Sequence, residues 1–110
     1  MPLRRLEVSG ESMLPALRPG DRVLVVGGLG PWRPRLRTGD LVALADPRDP
    51  ARLMVKRVAA LAGDRVDVRG DNAAASTDSR HFGPVDRAAV VGRVVYRYHP
   101  EERRGRLPAG

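Results

Sequence analysis

The sequence predicts a small, mainly β domain. Three observations carry this reading. Short valine-rich apolar runs recur between turn signals. Ten prolines and twelve glycines in 110 residues leave little room for long helices. Aromatic residues make up only 4% of the chain, so Val, Leu and Ala must fill the core. A chain of this length is one domain with one modest core. Residues 1–100 are expected to form it, and residues 101–110, charged and ending in LPAG, are expected to fray.

Taken in order, Arg4–Val8 is a short strand. SGESMLPALRPGD follows as a loop with one helical turn around Met13–Leu17. Arg22–Val26 is a strand that runs into Gly27, Gly28 and Gly30. Pro31–Thr38, with two prolines and three arginines, is an exposed loop. Asp40–Ala45 is a strand and Asp46–Pro50 a turn. Leu53–Ala60 and Arg65–Arg69 are strands joined through Ala62, Gly63 and Asp64. Gly70–Val85 is a long loop that gathers hydroxyls and carboxylates: Asp71, Asn72, Ser76, Thr77, Asp78 and Ser79. A loop this long in so small a domain points to function. Arg87–Val90 is a helical turn, and Val91–Tyr98 is the last strand.

Composition excludes several chemistries. There are no cysteines, hence no disulfide, no thiolate nucleophile and no Cys-based zinc site. Two histidines without metal-like spacing make no metal centre, so neither a metal nor a cofactor is expected. No apolar run reaches the length of a membrane span. The opening MPLRRLEV is too short and too charged for a signal peptide. The expected setting is cytoplasmic, with peripheral attachment to a membrane also open. Net charge is +7, almost all from arginine. GC-rich coding accounts for that more readily than an acidic partner does. The arginines are scattered and aromatics do not interleave with them, so nucleic acid is not the expected partner.

One arginine-sized position breaks the pattern. Lys56 is the only lysine, and it lies within an apolar run. Arginine cannot lose its proton in a protein, but lysine can, and burial lowers a lysine pKa. A position that must be a neutral amine must be lysine. The plainer readings are a lysine spared by codon bias, or one that snorkels to solvent. A neutral amine can activate a serine, as in Ser-Lys variants of the Ser-His-Asp arrangement. Ser12 sits in a loop after Gly10, where a tight backbone can aim N–H groups at an oxyanion. Taken alone, Ser12 is better explained as an ordinary helix N-cap. A triad of Ser12, His81 and Asp78 is a further arrangement, while His99 lies near the tail. Ser12 and Lys56 stand 44 residues apart, so the S-x-x-K signature is absent. LVVGGLGPW lacks the ending of a phosphate loop.

Three stretches match one family in one order. SGESMLPAL resembles the nucleophile box of type I signal peptidases, roughly S-M-x-P-T-L. MVKRVAALAGD resembles their general-base box. RGDNAAASTDSRHFGPV resembles their last box, G-D-N followed by S-x-D-S-R. The resemblance implies a small catalytic β-fold of coiled antiparallel sheets with one or two short helical turns; the spanning helices that membrane-anchored members carry are not expected here. It implies a serine endopeptidase with Ser12 as nucleophile and Lys56 as general base. Ser76 would bond the lysine amine. Asp78 and Arg80 would form a supporting ion pair, and Asp71 and Asn72 would shape the loop. The Ser12 N–H would serve the oxyanion, and Met13, Leu14 and Val55 would line the groove. The implied partner is a precursor protein bound as an extended peptide.

The chain also departs from the pattern. Ala16 stands where the family has Thr, and Ala60 and Ala62 replace its Gly and Pro. Gly10 replaces the serine that gives some members a second oxyanion donor. The chain starts close to its nucleophile and runs from Lys56 to Gly70 with almost no insertion. In this brevity, and in the closing GRVVYRYHP, it resembles the maturation proteases of nickel-type superoxide dismutase, which trim an N-terminal extension. The alternatives are a short signal-peptidase-like protease acting on another precursor, a self-cleaving protease of the repressor type, and a basic β module that binds nucleic acid.

Overall fold

The computed structural model describes residues 2–28, 33 and 35–107. Among the described residues, eight antiparallel strands form one coiled sheet: β1 (Leu3–Glu7), β2 (Arg22–Val26), β3 (Leu41–Asp46), β4 (Asp49–Ala62), β5 (Arg65–Arg69), β6 (Val85–Asp86), β7 (Val90–His99) and β8 (Gly105–Arg106). The spatial order is β1-β2-β7-β3-β4-β5-β6, and β8 pairs with β7. Among the described residues the one α-helix, α1 (Ser79–Phe82), is a single turn. No helix among the described residues is long and apolar enough to cross a membrane.

The predicted β architecture holds. β2 and β5 span the residues expected. β4 is longer than expected at both ends, because its first half pairs with β3 and its second half with β5. The Gly70–Val85 loop is more structured than its composition implied. It holds a 3-10 turn at Ala73–Ala75, then α1, then the start of β6. The C-terminal segment does not fray through Leu107. Glu101–Arg103 form a 3-10 turn, Gly105 and Arg106 pair with Arg97 and Tyr96, and the Leu107 N–H reaches the Val95 carbonyl. Gly30, most of the loop between 29 and 34, and the last three residues of LPAG lie outside the described residues.

Alternation along β3 explains how so thin a core suffices. Leu41 and Ala43 enter one apolar cluster with Val8, Met13, Leu17, Val23 and Val55. Val42 and Leu44 enter a second, with Met54, Val58, Val66 and Val68. Successive side chains of a strand point to opposite faces. The coiled sheet therefore buries β3 and the middle of β4 on both sides. Lys56 lies in that doubly buried stretch.

Candidate active site

Two segments frame one cleft. The first is the connection from β1 into the turn at residues 7–13. The second is β4 from Arg52 to Lys56. Gly10, Ser12, Met13, Val55 and Lys56 all line this cleft. β5 covers its edge of β4 only from Arg57 onward, so the edge before Lys56 is open to the cleft.

The turn that carries Ser12 is tightly built. The Leu14 N–H reaches the Glu11 carbonyl at 3.2 Å, and the Leu17 N–H reaches the Met13 carbonyl at 2.9 Å. Met13 and Leu17 anchor the turn in the core. Gly10 has φ +73°, a conformation that favours glycine over any residue with a side chain. Ser12 is half-buried, and its N–H has no hydrogen-bond partner among the described residues. Its carbonyl accepts from the Asn72 N–H at 2.8 Å, and the Asn72 amide donates to the Glu11 carbonyl at 3.1 Å. Asn72 thus clips the long loop onto the turn.

Lys56 is 4% exposed. Burial pulls its pKa below the ordinary 10.5, opposed by the charge of Asp78 and helped by Arg48. Its Nζ donates to Ser76 Oγ at 3.0 Å, and Ser76 Oγ donates to Asp78 Oδ2 at 2.6 Å. Asp78 is fully buried. It accepts from Arg80 Nε at 3.0 Å, from Arg80 Nη2 at 2.6 Å, and from the Gly70 and Arg80 N–H groups. Burial alone would raise the Asp78 pKa. Bonds from Arg80, Ser76 and Gly70 outweigh it and hold the carboxyl far below the usual range. Asp71 pairs with Arg57 through two 2.9 Å bonds, and Arg57 also donates to the Gly39 carbonyl.

The structure therefore brings Ser12, Lys56, Gly10 and Met13 to one cleft and links Ser76, Asp78 and Arg80 to Lys56. One expected lining residue and one alternative base lie elsewhere. Leu14 does not line the cleft. Nor does His81: its Nδ1 accepts the Asp78 N–H at 3.2 Å, closing the capping box of α1. His99 lies exposed at the end of β7. Sequence reasoning passed over Gly70. A Cβ there would strike the Ser76 side chain and lie 2.7 Å from the Ser12 carbonyl oxygen. The signal was present, since this glycine opens the GDN motif.

The profile of the family described as signal peptidase, peptidase S26, matches residues 2–71 and 68–99. The mitochondrial ATP-independent inner membrane protease subunit 1a of Arabidopsis thaliana is 35% identical, over 91% of this chain and 73% of its own. Mitochondrial inner membrane protease subunit 2 of Mus musculus is 34% identical, over 91% and 69%. Subunit 1 of Xenopus tropicalis is 34% identical, over 90% and 71%. On both the profile match and these identities, the chain belongs to the signal peptidase family, peptidase S26.

Proposed function

We propose that this chain is a serine endopeptidase with a Ser12/Lys56 dyad, which removes an N-terminal extension from a precursor protein. One observation supports the reading most: the direction of the bonds around Lys56. Asp78 takes the only proton of the Ser76 hydroxyl, so Ser76 must accept from Lys56. The lone pair of the neutral amine stays uncommitted for the Ser12 proton. A substrate strand can pair with the open edge of β4 and bring its scissile carbonyl to Ser12. Lys56 Nζ takes the Ser12 proton as Oγ attacks. The ammonium then protonates the leaving amine, and the amine next activates water to release the acyl-enzyme. The free Ser12 N–H is one donor for the oxyanion.

The arginines argue against the nucleic-acid alternative. Arg48, Arg57, Arg80, Arg97 and Arg103 are each paired with a carboxylate of this chain. Relatives named as inner membrane proteases favour work beside a membrane over the free cytoplasmic setting that the sequence suggested. They do not single out dismutase maturation. The narrower substrate, a nickel-type superoxide dismutase precursor, is supported by the tight β4–β5 connection, which carries no inserted domain, and by the resemblance of the closing GRVVYRYHP.

Co-expression with that precursor, and with a precursor bearing a signal-like extension, tests both levels. Wild type should release a new N-terminus on at least one of them. Ser12→Ala should lower processing by at least about 10³-fold, and Lys56→Arg should abolish it because a guanidinium stays charged. Near-full processing by Lys56→Arg would remove the dyad. An intact dismutase precursor beside a processed second one would remove only the narrower substrate.

A further inference from the structure

The chain end expected to fray is tied to the turn that carries Ser12. Residues 8–21 form a closed loop. The Val8 N–H bonds the Asp21 carbonyl at 2.8 Å, and the Gly20 N–H bonds the Val8 carbonyl at 2.8 Å. At this closure Asp21 is 2% exposed. Its carboxylate accepts the Arg18 N–H at 2.9 Å, Arg103 Nη1 at 2.6 Å and Arg97 Nη1 at 3.3 Å. The two guanidinium groups come from 82 and 76 residues away in sequence. Arg97 does more. Its Nη1 also donates to the Ala16 carbonyl at 2.9 Å, inside the turn, and its Nε donates to the Arg103 carbonyl at 2.6 Å. Leu107 then packs against the cluster that holds Met13 and Leu17.

From this network we infer that Arg97 and Arg103 are positioning residues for Ser12, acting through Asp21 and the Ala16 carbonyl. The inference rests on the Ser12 reading above. Neither arginine lines the cleft, so neither touches the reacting atoms. Their effect is on where the turn sits. Asn72 clips the turn from the Lys56 side, and the arginines clip it from the opposite end of the chain. A hydroxyl that must meet an amine and a carbonyl at once tolerates little displacement, since an error of about 1 Å can cost about 10² in rate. An Asp21 carboxylate left buried without its cations would pull on the loop for want of partners.

Arg103→Ala, Arg103→Lys and Ser12→Ala separate the possibilities on a fluorescence-quenched peptide spanning the cut found by co-expression. Arg103→Ala should lower kcat about tenfold or more with KM nearly unchanged. Its pH midpoint should match wild type, because the surroundings of Lys56 are intact. Hydrogen exchange should speed up at the Val8, Leu17, Gly20 and Asp21 amides and stay slow in β3 and β4. Arg103→Lys keeps one charge without the fork, so its kcat should fall between the two. That variant carries the test if Arg103→Ala does not fold. Wild-type kcat together with unchanged exchange in residues 8–21 would overturn the inference. A peptide cleaved equally well by Ser12→Ala would instead overturn the dyad, and the exchange result would still stand.

Discussion

Burial acts on Lys56 before any partner does, because an ammonium out of water is disfavoured. Arg48 and Arg52 push the same way, while Asp78 and Asp46 oppose them. The folded-state pKa lies below 10.5, so the fraction of neutral amine, and with it kcat/KM, should rise with pH through that lowered value. A pH–rate profile of wild type checks this. Asp78→Asn sharpens the test, because the Asp78 charge is what holds the Lys56 pKa up. Removing that charge should move the ascending limb to lower pH. The plateau should fall as well, since the amide leaves one acceptor oxygen for which Ser76 and Arg80 compete. Stability should drop by about 2 kcal/mol, the order expected when bonds to a buried charge are lost. A limb that stays in place would show that Asp78 does not act on the amine.

The segment after β5 illustrates how one element serves two partners. Gly70 packs against Ser76 and the Ser12 carbonyl at once. Gly70→Ala must therefore separate β5 from either the turn or the Lys56 partner. We expect a kcat loss of about 10²-fold with the fold retained, measured as kcat with circular dichroism alongside. Equal activity would mean that the loop gives way freely. This segment also marks the limit of sequence reading. Its polar composition says loop, yet Asp78 caps α1, and the Ser79 hydroxyl accepts the Val68 N–H. Those side chains take the place of backbone pairing, and such local bonds leave no periodic signal. β5 was legible because apolar and polar residues alternate in it, and β2 because a short valine-rich run is bounded by turn signals. Lys56 stood out as a residue type, but its link to Ser76 was legible only through family resemblance. The Asp21, Arg97 and Arg103 network was not legible at all, because it joins residues 76 and 82 apart.

At the scale of the whole molecule, the site costs stability, and pH exposes the cost. Asp78 has a depressed pKa, so it stabilises the fold above about 3.8 and that contribution is lost as pH falls below it. Lys56 works in the other sense. Between its lowered folded-state pKa and 10.5 the unfolded chain binds more protons than the folded one, so stability rises with pH across that window. Below the window the full penalty of a buried ammonium is present. Lys56→Met removes that penalty with a side chain of similar length. Asp78 keeps Arg80, Ser76 and two backbone N–H groups, so no carboxylate is stranded. Replacing buried ionic groups by apolar ones often gains about 1–4 kcal/mol, and the lower end suits a single lysine. Lys56→Met should therefore be inactive and more stable than wild type by about 1 kcal/mol at neutral pH. The gap should narrow as pH climbs through 10.5, above which wild type no longer carries the charge in either state. Urea melts of both proteins at several pH values measure it. A gap that does not depend on pH, or one of the opposite sign, would mean that Lys56 is not held as a strained base in the folded chain.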